Sequence, residues 1–426
     1  MGMENRYDTY KDSGIAWIGE IPEHWEVKKL GQLYLPRNEK VSDQDYPALS
    51  VTMQGVLLQL ENVAKTNDGD NRKLVKIGDF AINSRSDRRG ACGISKYDGS
   101  VSLINIVLTP INKMNPVYYE WLFHSSLFSD EYYKWGHGIV NDLWTTRWQE
   151  MKNIQIAAPP LQEQQSIAAC LDQKCSEIDE LITLQEEMIT KLQSYKQSVI
   201  TEAVTKGLDK NVPLKDSGIE WIGEIPEHWE VRRLKHLGKN YNGLTYSPND
   251  ICGSEDGILV LRSSNIKNNK LCFDDNVYVN KEIPQKLIVN KGDILICSRN
   301  GSAELIGKAA FIEFQMVATF GAFMMIFKGT SNIYHKYLFY IVTSCISQYK
   351  WLFTTATINQ LTSSMLGEIF APFINNNLEQ QSIATYLDQK CSEIDELISI
   401  KQQKIEKLKD YKKSLIFECV TGKRKV

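Results

Sequence analysis

A chain of 426 residues, 42% of them apolar, is long enough for two or more domains with cores of their own. Its 49 Lys and Arg against 52 Asp and Glu give a net charge of −3, which excludes a protein held on nucleic acid by a global positive field; any such surface is a local patch. No apolar run approaches the ~20 residues of a membrane span, and the nine cysteines stand singly, without CxxC pairs or a secretory leader, so a soluble cytoplasmic protein is expected.

Taken in order, residues 11–30, KDSGIAWIGEIPEHWEVKKL, recur at 215–234 with only Ala16/Glu220, Lys28/Arg232 and Lys29/Arg233 changed. The chain therefore reads as two tandem units, 1–160 and 211–375, each followed by a long segment, 161–210 and 376–426. These four parts carry −2, +1, −4 and +2 charges respectively. Gly14, Gly19 and Pro22 punctuate the repeated block, which reads as a loop entering a strand at Trp25 to Leu30. Trp17, Trp25 and His24 could stack bases. A block copied almost unchanged while its domain diverges is better suited to capping a core or holding the domain to its helix.

Beyond residue 30 the units share an outline only. IGDFAINSR at 77–85 parallels KGDILICSR at 291–299: a turn, a strand, then Ser-Arg. Val140-Asn141-Asp142-Leu143 parallels Ile358-Asn359-Gln360-Leu361. The repeat offset thus runs from 204 through 214 and 218 to 216, as insertions in loops of one fold would produce. β-rich runs at 46–60, 73–84, 257–261, 294–298, 308–314 and 322–327 predict a mixed domain, with helices at 118–128 and 334–349 whose aromatic stripes belong to a core.

The two long segments nearly match as well: EQQSIAACLDQKCSEIDELI at 163–182 returns at 379–398 with two changes. Ile178, Ile182, Ile189, Leu192, Val199 and Ala203 form a heptad-like stripe interrupted at Gln185 and Lys196. Ile394, Ile398, Ile405, Leu408 and Leu415 repeat it, interrupted at Lys401 and Lys412. Pro159-Pro160 starts the first helix and Gly207 stops it. About 45 residues at ~1.5 Å each give a helix of roughly 65 Å. Two matching stripes in one chain can bury each other.

Catalytic motifs are missing. Gly301 to Ala309 has five residues between its glycines and Ala309 after Lys308, so it is no phosphate loop. Ala158-Pro159-Pro160-Leu161 lacks the polar first residue and the aromatic of an adenine-holding loop, and Phe320-Gly321-Ala322-Phe323 lacks the second glycine of a methyl-donor loop. No HExxH, GxSxG or clustered metal pattern occurs. Polar, basic loops do stand in corresponding places. Asn83, Ser84, Arg85, Arg88 and Arg89 follow the first GD strand, and Ser298, Arg299, Asn300 and Ser302 follow the second. Asn265 and Lys267, beside Arg262, Ser263, Ser264 and Lys270, make a further patch, as do residues 241–246. Arg reads guanine and Asn reads adenine with paired hydrogen bonds, and Ser or a backbone N–H holds phosphate, so these residues are candidate DNA contacts.

With the GEIPEHW blocks, the GD-strand-Ser-Arg pattern and PPLQEQQSIAACLDQKCSEIDELI in view, the whole chain resembles the DNA-specificity subunits of type I restriction-modification systems. It departs from them at Asn375-Asn376-Asn377-Leu378, where the first unit has Pro159-Pro160-Leu161-Gln162. The resemblance implies an α+β fold: two tandem mixed α/β target-recognition domains separated by two long antiparallel coiled-coil helices, a pseudo-twofold internal repeat. It implies a non-catalytic cytoplasmic subunit, each of whose domains reads one half of a bipartite asymmetric double-stranded DNA target. Two modification (methyltransferase) subunits would bring S-adenosylmethionine, and restriction (translocase/nuclease) subunits ATP and Mg. The modification subunits are expected on the helix faces near Asp172, Glu177, Asp179, Glu180, Asp388, Glu393, Asp395 and Glu396. A coiled-coil adaptor with two ligand-binding domains and no DNA role, or a self-sufficient methyltransferase or nuclease with degenerate motifs, would also fit the pattern.

Overall fold

The computed structural model describes residues 6–59, 69–85, 88–138, 144–353 and 359–426. It forms two compact units, Met1–Glu187 with Lys401–Val426, and Met188–Ile400.

In the first unit an antiparallel sheet runs in the order Cys92–Ile94, Phe80–Asn83, Asn105–Pro110, Tyr34–Pro36. Its inner strands are buried on both faces, so the two-residue period of a strand sends alternate side chains to different cores. Phe80, Ile82, Ile106 and Leu108 pack with aromatic residues of the helices Pro116–His124 and Ser126–Lys134, while Ala81 and Val107 pack with Leu49, Val56, Val75 and Val101. The second unit repeats the plan with Gly238–Asn242, Met324–Gly329, Ile294–Cys297 and Ala309–Phe311. There Ile294, Ile296, Met325 and Phe327 face the helix His335–Gln348, and Leu295, Cys297, Met324 and Ile326 face the other way. Helices gather on one face of each sheet, which is the expected α+β arrangement, and the aromatic stripes are core. The single helix expected over 118–128 is two: Ser125 ends the first, and its hydroxyl accepts from Phe128 N to cap the second.

The GD turns have one design. Gly78 and Gly292 take φ of 87° and 92°, a conformation open to glycine. Asp79 is buried, closes the turn by accepting from Lys76 N and pairs with Arg37 at 2.6 Å; Asp293 accepts from Asn290 N and pairs with Lys328 at 3.3 Å.

The repeated blocks anchor the long helices Leu161–Lys206 and Asn377–Val420. Trp25 is fully buried, and its indole N–H donates to Glu163 Oε2 at 3.0 Å, where Tyr7 O–H also donates at 2.9 Å and His24 Nε2 lies 2.6 Å from Oε1. Burial alone would raise this carboxyl; the three partners outweigh it and hold it below its ordinary value. In the second unit the Trp229 indole N–H donates to Glu379 Oε1 at 2.9 Å and His228 Nε2 lies 3.0 Å from Oε2. Trp25 and Trp229 thus hold domain to helix, while Trp17 packs against the core. Each anchor also receives the end of the other helix: Gly422 turns at φ 74° against Pro22 and Trp25, and Gly207 turns at φ 74° against Trp229. Where the first helix enters through Pro159-Pro160, the second is capped by Asn376 Oδ1, which accepts from Leu378 N and Glu379 N.

Within the first unit the two helices run antiparallel, with Asp179 bonded to Lys412 at 2.7 Å and Gln185 to Lys401 at 3.3 Å. In the second unit Lys196 bonds Asp395 at 2.7 Å. The interruptions of the apolar stripe are therefore polar rungs of the helix pair.

Candidate nucleic-acid interface

The central strand of each unit delivers one arginine to the surface. Ser84 and Ser298 are the last buried residues; their N–H groups donate to Ile104 O and Phe323 O, and their carbonyls accept from Thr146 N and Leu361 N. The next residue, Arg85 or Arg299, is exposed and bridges Thr145 or Gln360 respectively. These bonds and bridges match Ile104 with Phe323, Thr145 with Gln360 and Thr146 with Leu361, which sets Trp144 against Asn359 by one step along the chain. The offset is then 219 at Ile104 and 215 at Thr145 and Thr146, where the sequence parallel of 140–143 with 358–361 gives 218. Val140 to Leu143 and Ile358 lie outside the described residues, as do Ser86 and Asp87.

The predicted contacts divide into exposed cations and loop-shaping groups. Arg85, Arg88 and Arg89 are exposed, with Arg89 paired to Asp130 and 5.5 Å from the Tyr133 ring. Asn83 is buried and caps the loop by accepting from Arg85 N; Ser84 O–H donates to Ile104 O. In the second unit Arg299 lies 5.6 Å over the Phe323 ring, Asn300 Oδ1 accepts from Ser302 N, Ser302 is exposed, and Ser298 is buried. Lys267 is exposed and paired with Asp274 at 2.7 Å. Asn265 is not available to a ligand. It is fully buried, and its amide donates to Cys272 O, Asp275 O and Asn276 Oδ1 while its carbonyl oxygen accepts from Arg262 N. It shapes the loop that presents its neighbours, together with the hairpin Ile266–Lys267/Lys270–Leu271, whose Asn268 and Asn269 turn at φ 51° and 61°.

In the second unit the predicted patches converge on one cleft of about 1200 Å³, lined among others by Tyr246, Arg262, Ser264, Arg299, Phe323 and Asn359. Arg262 is held at the wall by Asp275 at 2.7 Å, and Phe323 is 61% exposed, an aromatic face left open beside a cation. In the sequence Phe323 stands out only within the incomplete methyl-donor-like stretch Phe320-Gly321-Ala322-Phe323, and Asn359 only as a landmark of the repeat.

The acidic helix residues are mostly engaged within their own units. Asp172 accepts from Trp121 Nε1 at 2.9 Å and Asp388 from Tyr340 O–H at 2.6 Å, tying helix to domain. Asp179 and Asp395 form the lysine rungs. These four tie structure together, yet Asp172, Asp179 and Asp388 stay exposed and Asp395 half-buried. Glu177 and Glu393 pair with Lys174 and Lys390 one turn away on the same helix. Glu180 and Glu396 are exposed beside Leu181 and Leu397, which are 43% and 48% exposed, with Leu184 and Ile400 also open one turn on.

Among the described residues, no group of three or more His, Cys, Asp or Glu is placed to hold a metal, and no helix is long and apolar enough to cross a membrane. The nine cysteines are free thiols.

Comparison with known proteins agrees with this architecture. The chain is 27% identical over 433 residues to the MjaVIII type I restriction enzyme specificity subunit of Methanocaldococcus jannaschii, covering 95% of this chain and 94% of that one. It is 25% identical over 206 residues to the EcoKI specificity subunit of Escherichia coli, covering 47% and 44%. Among solved structures, a chain from a study of complex assembly and conformational transition of the type I R-M system superposes with a TM-score of 0.72 at 15% identity, covering 94% of this chain and 98% of that one. The HsdS subunit of Thermoanaerobacter tengcongensis gives 0.51 at 16% identity, with the same coverage. The family model for the type I restriction modification DNA specificity domain matches twice, over residues 22–193 and 226–410, one match to each repeat, and the chain belongs to this family of specificity subunits.

Proposed function

We propose that this chain is the non-catalytic specificity subunit of a type I restriction-modification complex, each unit reading one half of a bipartite, asymmetric DNA target. The observation that carries this reading is that two units of one plan present different side chains at one place. In the second Arg299 lies over the Phe323 ring and bridges Gln360, whereas in the first Arg85 bridges Thr145 and Ile104 takes the place of Phe323. One scaffold with two surfaces suits two unlike half-sites, and the helix pair suits a spacer between them. Local cations at −3 overall charge suit a subunit whose partners supply much of the phosphate binding. Adenine N6 methylation with S-adenosylmethionine, and cleavage with ATP and Mg, then belong to modification and restriction subunits. Methylome sequencing of a host expressing this chain with its cognate modification subunit tests the reading. The expected result is a split motif with a fixed unspecified gap, and exchange of residues 31–160 for those of a relative changes one half only. A stable complex that leaves no new motif would return the chain to the adaptor reading.

The modification subunits dock, on this proposal, on two exposed helix faces, one in each unit: that of Glu177 and Glu180 with Leu181 and Leu184, and that of Glu393 and Glu396 with Leu397 and Ile400. Charge reversal at Glu180 and Glu396 abolishes copurification with the modification subunit while the melting temperature holds; unchanged copurification removes these faces from the interface.

A further inference from the structure

We infer that Asn359 reads an adenine in the half-site recognised by the second unit; this rests on the DNA-reading function proposed above. Among the described residues, eight buried side-chain polar atoms lack a hydrogen-bond partner, and three of them, Arg262 Nε, Ser264 Oγ and Asn359 Oδ1, belong to residues lining the one cleft. Buried polar groups are almost always paired, with protein or with ordered water, and three such atoms at one cleft offer a ligand's polar edge partners that the protein itself leaves unfilled. The loops around it show the contrast: Asn265 has its amide and carbonyl oxygen engaged, and Asn300 bonds Ser263 and Ser302.

The chemistry of the deficit is that of a base edge. A carboxamide offers an acceptor and a donor side by side, matching the N6 amine and N7 of adenine, whereas it meets guanine O6 and N7 with only one usable group. Arg262 adds a fixed donor, since Asp275 holds its outer nitrogen at 2.7 Å and leaves Nε unpaired. Arg299, lying over Phe323, gives the rim a cation. In the first unit Trp144 occupies the place of Asn359 and offers no carboxamide, so the two units read this base position by different chemistry.

The test uses the full chain in complex with its cognate modification subunit, comparing wild type, Asn359→Ala and the near-isosteric Asn359→Asp by methylome sequencing and by methylation of duplexes substituted one base pair at a time. Asn359→Ala is expected to relax one A·T position of the second half, cutting discrimination there about ten- to a hundredfold, with the first half unchanged. Asn359→Asp, which only accepts, is expected to move preference at that position from adenine toward cytosine. If both variants keep the wild-type motif and rate, the cleft is merely hydrated and the assignment is overturned. If the wild-type complex itself yields no split motif, the underlying DNA-reading function fails, a separate result.

Discussion

At the scale of single residues, the glutamate in the first turn of each long helix is the point where domain and helix meet. Glu163 gathers Trp25, His24 and Tyr7, and its carboxyl side chain is 28% exposed. Hydrogen bonds to a charged group are worth about 1.5–3 kcal/mol each when buried, less at this exposure, so Glu163→Gln is expected to cost about 2 kcal/mol near neutrality. The pH dependence follows from the depressed carboxyl. A carboxyl lowered by folding adds stability that is full above its unfolded value, ~4.3, and is lost as the pH falls through the lower folded value. Urea unfolding of wild type and Glu163→Gln at a series of pH values should show a gap that is constant above pH ~5 and closes below it. A gap independent of pH would mean that the carboxylate charge plays no part in the anchor.

At the scale of elements, the helix pair is held by an apolar stripe with polar rungs. Lys196 and Asp395 are 16% and 31% exposed, and a pair of this kind is worth on the order of 1 kcal/mol, less than the stripe but enough to penalise a wrong register. Lys196→Asp sets like charges together and lowers the melting temperature by a few degrees, whereas the exchange Lys196→Asp with Asp395→Lys restores most of the loss; a double-mutant cycle with no coupling would leave the register to the stripe alone. Much of this element was legible in the sequence, because a 3.5-residue period and a near-identical second copy are local properties. The rungs were not. The partner of each interrupting lysine lies on the sister helix some two hundred residues away, and nothing local distinguishes Asp179 and Asp395, which bond inward, from Glu180 and Glu396, which do not. The same limit applied to the recognition loops. The Ser-Arg step was visible because a GD strand precedes it, but Asn265 looked like a reader and is a buried brace, while Phe323 and Asn359 reach the cleft through pairings set by loops of unequal length.

At the scale of the whole molecule, chain order and structural units do not coincide: Lys401–Val426 completes the unit that contains residue 6. Leu415, Cys419 and Val420 are buried among Trp25, Tyr118 and Ile167, and Tyr118 O–H donates to Val420 O at 3.0 Å. Full burial of a leucine or valine side chain contributes about 1.5–3 kcal/mol, so losing this strip removes several kcal/mol from a domain whose net stability is about 5–15 kcal/mol. Deleting 401–426 is therefore expected to damage the far end of the sequence from the cut. In hydrogen exchange, the central strands Phe80–Asn83 and Asn105–Pro110 lose protection, whereas Ile294–Cys297 and Met324–Gly329 keep theirs, although they lie nearer to the deletion in the chain. Val420→Asp in the full-length chain, which places an unpaired carboxylate at a fully buried position, should reproduce the pattern more mildly. Loss confined to the second unit, or equal loss in both, would contradict the division of the core on which the expectation rests.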